Sequence, residues 1–498
     1  MRENISNSNT KTHFKDLNFF RIRFTKFVVY SLIILFSIIL IHIVYYVYLY
    51  KQYKDFTAEN FSLIIIYIAL TGGLLYGLNK KMSKTKLLCL ILLVGFSLRL
   101  IWALTTKSVP ISDFKTMYDT ANYLLEGDTS GFKGFKYFAR FPHLIPYVLF
   151  LSQMIGFFGN STLFVVKMIN VFLSTSSIIF VYLICNLIFK DYKRTLLGTF
   201  FMAILPSSIL YVPVYCSENV AIPFYLASIY CFILVINNKK NSLYLLLSGL
   251  LLCLGHLFRM VGYVILIAYV MYILIYDTES LKIKFRNILF ILMPFFIIFI
   301  VFSNILIVCN ITDRKLWSGS EPAITSVLKG SNIESGGRWS SEDDEFISNY
   351  LEDTETLQKA SKELIFNRYT TTPHLELARF FIKKFTSQWG DGSNSGAYWS
   401  QEGIPENDIK INIVDNGVFW YQLVYIILLL LIIKGLFNNK QHLENRIINL
   451  FYIIFCGYGI FFLIIEMQAR YAFIISFIFA ILPVTAIRDV QKNNKIEN

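Results

Sequence analysis

Residues 27–50 read FVVYSLIILFSIILIHIVYYVYLY, a run without a single Lys, Arg, Asp or Glu. A helix needs roughly 20 apolar residues to cross a hydrocarbon core, and this run supplies them. It is too long for the core of a signal peptide and lacks a small-residue cleavage site, so it reads as a retained helix. The basic flank Arg21, Arg23 and Lys26 sets the N-terminus in the cytoplasm. Further apolar runs follow at 61–79, 87–106, 162–189, 195–212, 217–236, 287–308, 417–434, 446–465 and 470–487, and two shorter ones, 243–258 and 260–276, straddle Arg259. With 55% hydrophobic and 17% aromatic residues, the chain is one solvated mainly by lipid. The expected fold class is an all-α polytopic membrane protein with about twelve transmembrane helices, outer-face interfacial helices and one large external loop.

The basic loops test this threading. Lys80, Lys81, Lys84 and Lys86, then Lys190, Lys193 and Arg194, then Lys239 and Lys240, then Lys282, Lys284 and Arg286, then Lys434, Lys440 and Arg446 all fall on the cytoplasmic side. The parity holds only if 142–158, which opens Phe141-Pro142-His143 and carries Pro146 and Gln153, does not cross. It is therefore expected to be an interfacial or re-entrant helix on the outside. Four regions result: a cytoplasmic N-terminus with a two-helix addition (1–86), a first helical block with an external loop at 107–161 (87–308), a large external segment (309–415), and C-terminal helices with a cytoplasmic tail (416–498).

Within 309–415, Ser340 or Ser341 can cap a helix whose first turn carries Glu342, Asp343, Asp344 and Glu345. Pro373 opens an amphipathic helix to about Trp389, and a Gly-, Ser- and aromatic-rich stretch to Trp399 leads back toward the membrane. A connection this long is expected to cover or build a site.

The net charge of +13 follows from the cytoplasmic loops and argues no nucleic-acid partner. The seven cysteines show no CxxC and no Cys/His ligand spacing, and the six histidines form no HExxH, so no metal centre is expected. Neither a Walker A loop nor a Rossmann glycine fingerprint occurs.

The polar residues that remain fall on one face. Asp113, followed by Tyr118, Asp119 and Asn122 at helical spacing, either caps a helix or serves as a general base. Arg140 and His143, in Arg-Phe-Pro-His, either anchor a lipid headgroup or hold a lipid-linked phosphate. Arg259, in Gly-His-Leu-Phe-Arg, sits in a short outer turn where it either snorkels or takes a phosphate partner. Glu218 opens a span, where it complements the helix dipole or joins the site. Glu466 and Arg470, four apart, can form a helix ion pair or aim the arginine at a bound anion. Arg99 and Lys167, inside spans, are expected to snorkel or to pair within the protein.

Taken in order, the loop Asp113, Arg140-Phe-Pro-His143, Pro206 with Ser217-Glu218, the Leu-Phe-Arg259 turn and Glu466-x-x-x-Arg470-Tyr471 resemble the GT-C superfamily. The group resembled is glycosyltransferase family 39, which includes protein O-mannosyltransferases and aminoarabinose transferases. The resemblance is best over 87–308, and Gly330-Ser-Asn332 through Trp339 looks like an outer-loop pattern of bacterial members. It implies transfer of a sugar from a polyprenyl-phosphate carrier to an extracytoplasmic glycan, lipid or protein acceptor, at the cell membrane and in contact with membrane lipid. Asp113 and Glu218 would be the catalytic acidic positions. Arg140, His143, Arg259 and Arg470 would bind the donor phosphate, while Tyr118, Asp119, Asn332, Trp339 and Glu466 would shape the acceptor side. Where the mannosyltransferases carry Asp-Glu this chain has Asp113-Phe114, a departure at the acceptor. No cofactor is firmly implied, although Asp113 and Glu218 leave a divalent cation possible. The rival reading is a transporter or flippase of lipid-linked glycans, which calls for polar or broken helices near the midplane.

Overall fold

The computed structural model describes residues 2–45, 57–438, 442–443 and 445–487. The end of the first apolar run (46–50), Lys440 and the tail from 488 lie outside the described residues. Among those described the regular structure is helical, and the one β feature is an isolated bridge between Lys315 and Ser318. Seven helices are long and apolar enough to cross a membrane: Phe19–Ile43, Ala58–Asn79, Lys84–Thr105, the stretch Pro142–Phe189, Glu218–Ile236, Leu281–Val308 and Val418–Leu436. The protein is a multi-pass membrane protein.

The other expected crossings are helical but shorter or broken. Tyr244–Phe258, Gly262–Tyr276 and Ile448–Ile464 fall below eighteen residues. The run at 195–212 is interrupted at Pro206, giving Tyr192–Ile204 and then Pro206–Leu210. The last run is two pieces, Ala469–Ile475 and Ile478–Ala486, bent by 58°.

The break at Pro206 has an identifiable partner. Proline has no N–H, so the carbonyl of Met202, one turn earlier, loses its helical donor. Arg99, fully buried, supplies one: Nη2 donates to the Met202 carbonyl at 3.0 Å and to Ser208 Oγ at 2.6 Å. Its Nη1 donates to the carbonyls of Ala203 and Gly95 at 2.8 and 3.0 Å, and Nε to Ser174 Oγ at 2.7 Å. Of the two fates open to Arg99, internal pairing is the one observed. Lys167 likewise donates inward, to the Thr106 carbonyl at 3.1 Å.

The segment 142–158 forms the helix Ile145–Phe158, separated from Thr162–Phe189 by a turn in which Gly159 has a φ of 50°. It packs along the helix Ser112–Leu125, which carries Asp113. The segment 309–415 holds Ser341–Tyr350, capped by Ser340 whose side chain accepts from Asp343 N, then Thr354–Thr371 and His374–Trp389. Pro373 stands just before the last of these, as its N-cap, and the middle helix is an addition to the sequence reading. Its start is marked by Asp353, whose carboxylate accepts from Thr356 N at 3.0 Å.

Candidate active site

Asp113 lies in the first turn of its helix, but the N-cap position belongs to Ile111, so capping does not occupy the carboxylate. Instead Oδ2 accepts from Arg470 Nη2 at 2.7 Å and Oδ1 from the Tyr137 hydroxyl at 3.0 Å. The Asp113 side chain keeps 37% of its surface exposed against 9% for Arg470, so an incoming group can reach the acid while the cation stays walled in. Burial pushes the Asp113 carboxyl up. The Arg470 charge and hydrogen bond, the Tyr137 hydroxyl and the more distant Arg259 outweigh it and hold the group below its ordinary value.

The walls around Arg470 are aromatic. Its guanidinium lies 5.0 Å from the Trp399 ring centroid, 5.4 Å from Tyr471 and 5.5 Å from Phe114. Arg470 Nε is buried without a hydrogen-bond partner among the described residues. A second ion pair adjoins the first through Tyr471: Arg259 Nε meets Glu218 Oε1 at 3.3 Å, and the Arg259 guanidinium lies 5.0 Å from the Tyr471 ring centroid. The Glu218 charge is felt at Arg470, and that of Arg259 at Asp113 and His143.

Local sequence explains each placement. The turn between Tyr244–Phe258 and Gly262–Tyr276 leaves Arg259 extended, with its carbonyl accepting from the Tyr225 hydroxyl. Asn219 Nδ2 donates to the carbonyls of Tyr211 and Val214 at 2.8 and 3.0 Å, fixing the connection that delivers Glu218. Tyr458 donates to the Tyr471 carbonyl at 2.7 Å, which fixes the turn next to Arg470.

Asp113, Glu218, Arg259 and Arg470 are thus brought together, with His143 at the edge. Arg140 is not with them. Its Nε donates to Glu321 Oε2 at 2.8 Å and Nη2 reaches Asp344 at 3.4 Å. Glu321, buried, also takes Lys329 at 3.2 Å and the Thr325 hydroxyl at 2.7 Å. Burial alone would raise the Glu321 carboxyl, but these cations and the hydroxyl hold it below its usual range. The chain is pressed tight here: a Cβ on Gly319 would sit 2.0 Å from the Arg140 carbonyl oxygen.

Glu466 and Arg470 form no helix pair, because 465–468 is extended and Arg470 turns to Asp113 instead. Glu466 accepts from Gln468 at 2.8 Å. That extended piece is held by the segment 309–415, with Glu466 N donating to the Ser326 carbonyl at 2.7 Å and Met467 N to that of Gly337 at 2.8 Å. A Cβ on Gly330 would fall 2.4 Å from the backbone of Ile465, which only glycine avoids. Lys384, pushed down to about 8 by burial, donates to the carbonyls of Gly330 and Leu463 at 2.6 and 2.9 Å.

Asn332 serves the external fold, donating to Asp343 at 2.9 Å, and Asp343 also takes Arg368 at 2.5 Å. Trp339 is an exposed surface residue, and Asp119 pairs with Lys115 at 3.4 Å on the surface of its helix. Tyr118 packs half-buried against the core. Among the described residues no three His, Cys, Asp or Glu side chains gather as metal ligands, and each candidate carboxylate already faces a guanidinium. The sequence reading missed Tyr137 and Glu321, which belong to no motif. A tyrosine three residues before Arg140 carried no mark of its own.

The family model for dolichyl-phosphate-mannose-protein mannosyltransferase matches residues 141–307. No curated protein matches the chain. Among solved structures it is similar to the oligosaccharyltransferase AglB of Archaeoglobus fulgidus in complex with an inhibitory peptide and a dolichol-phosphate, at 15% identity and a TM-score of 0.47, covering 82% of this chain and 50% of that one. A second structure of the Archaeoglobus fulgidus oligosaccharyltransferase, tethered to an acceptor peptide, gives 14% identity and a TM-score of 0.46, covering 81% and 49%. This chain therefore spans about half the length of those enzymes. His143, Glu218 and Arg259 lie inside the family match, and Asp113 and Arg470 outside it.

Proposed function

We propose that the protein is an integral-membrane glycosyltransferase that moves a sugar from a polyprenyl-phosphate carrier to an acceptor hydroxyl on the extracytoplasmic face of the cell membrane. The observation that carries this reading is the convergence of Asp113, Glu218, Arg259 and Arg470, from four separate parts of the chain, into two adjoining ion pairs. Two arginines with donors to spare suit a phosphate, and a half-exposed carboxylate beside them suits a base.

The acceptor oxygen attacks the anomeric carbon as the bond from that carbon to the phosphate oxygen breaks. Its proton passes to Asp113. The bonding electrons leave with the phosphate, whose growing charge is met by Arg470, through donors such as its unpartnered Nε, and by Arg259. Attack opposite the leaving group inverts the anomeric centre, as in single-displacement glycosidases. Glu218 orients Arg259, and Tyr137 aims Asp113. Arg140, committed to Glu321, holds the external segment against the site. The acceptor is a glycan, lipid or protein.

The test is Asp113→Asn with radiolabelled polyprenyl-phosphate sugars and cell-envelope acceptors. Transfer should fall by roughly 100- to 10,000-fold, the scale of a lost general base, with membrane insertion unchanged. Undiminished transfer removes Asp113 from the mechanism.

A further inference from the structure

The short helix Gly396–Gln401 presents Trp399 to the site, and no part of the mechanism above uses it. The indole is half-buried. Phe114, next to Asp113, meets it edge-on with centroids 5.2 Å apart, and Tyr398 does so from the rim at 5.2 Å while remaining exposed itself. Arg470 stands 5.0 Å from its centroid.

The loop that carries it is built rigidly. Asp391, half-buried, accepts from Ser393 N, Ser393 Oγ and Ser395 N at 2.8, 2.8 and 2.6 Å, closing a turn in which Asn394 and Ser395 both adopt positive φ. Tyr211 donates to the Asn394 carbonyl at 2.8 Å, and Gln422 bridges Gly390 O and Gly392 N at 3.0 and 3.2 Å. On the far side Gln401 accepts from Ile413 N at 2.8 Å and donates to the Ile411 carbonyl at 2.8 Å. So much hydrogen bonding around an aromatic pair that remains partly open marks a platform held ready for a ligand.

We propose that Trp399, with Tyr398 at its rim, is the stacking surface for the glycosyl ring of the donor. The inference deepens the transferase reading and rests on it. In such a donor the sugar is one glycosidic oxygen from the phosphorus, so a ring adjoining the phosphate held by Arg470 comes over the indole beside that arginine. A pyranose or furanose presents a face of C–H groups, and an indole offers the flat apolar partner that such a face buries against.

Binding of polyprenyl phosphate with and without a hexose to the full-length protein in nanodiscs tests it, together with the donor dependence of transfer. Trp399→Ala should weaken the sugar-bearing carrier roughly tenfold and leave the bare carrier bound as before. That second measurement also reports that the variant is folded. Trp399→Phe should restore most of the preference. Equal weakening of both carriers makes the indole a mere support for Arg470 and overturns the proposal, as does no weakening of either. Trp399-dependent sugar binding without any transfer overturns the transferase reading alone.

Discussion

The Asp113 carboxylate is stabilised by two neighbours of different kinds, a buried guanidinium and a phenol. Its carboxyl is held below its ordinary value, so the basic form is present at all pH above that depressed value and is lost as pH falls through it. Removing the Tyr137 hydroxyl removes one of the downward pulls and the carboxyl rises. In Tyr137→Phe the acid limb of the pH profile for transfer should therefore move to higher pH, with the alkaline side unchanged. A profile whose acid limb does not move means that a different group titrates in the reaction. Asp113, Glu218, Arg259 and Arg470 could be read from the sequence because charged side chains at membrane edges are rare enough to stand out. Arg140 stood out equally, but nothing near it in the chain reveals that Glu321, from another segment, takes it. Long-range pairing of that kind leaves no local pattern.

Between elements, the joint that matters is the one between the segment 309–415 and the helices it packs against. Glu321 sits 2% exposed between Arg140 and Lys329, so deleting its carboxylate leaves two cations in a closed place. Glu321→Ala should cost about 3 kcal/mol of stability, seen as a lower melting temperature and faster proteolytic cutting within 309–415. An unchanged melting temperature and cutting rate would mean that the two cations find water. At this scale the sequence was legible wherever composition or capping spoke: the Ser340 cap and the helix ending at Trp389 are both found. Thr354–Thr371 went unread because its polar surface has no strong apolar stripe, although Asp353 was a valid start signal. The break in the run 195–212 went unread for another reason: apolar composition does not reveal that a helix is interrupted at Pro206 and re-bonded by Arg99.

In the whole molecule, the broken pieces support one another. Ile478–Ile481 packs on Tyr192–Ile204, and the following turn packs on Val418–Leu436, with Phe477, Phe479, Ile481 and Leu482 all buried. Each such side chain contributes on the order of 1.5–3 kcal/mol when fully buried. A chain ending at Gln468 should therefore fail to give a monodisperse peak in size-exclusion chromatography, whereas loss of surface residues would leave the peak intact. A sharp peak from the truncated chain would mean that the last pieces are an ornament on a core complete without them.

Arg470 lies in that final stretch, 357 positions after the aspartate it meets. During synthesis the early helices are already in the bilayer well before the ribosome reaches this arginine. A nascent chain accordingly holds its acid without the cation that completes the pair until 357 further residues have been made.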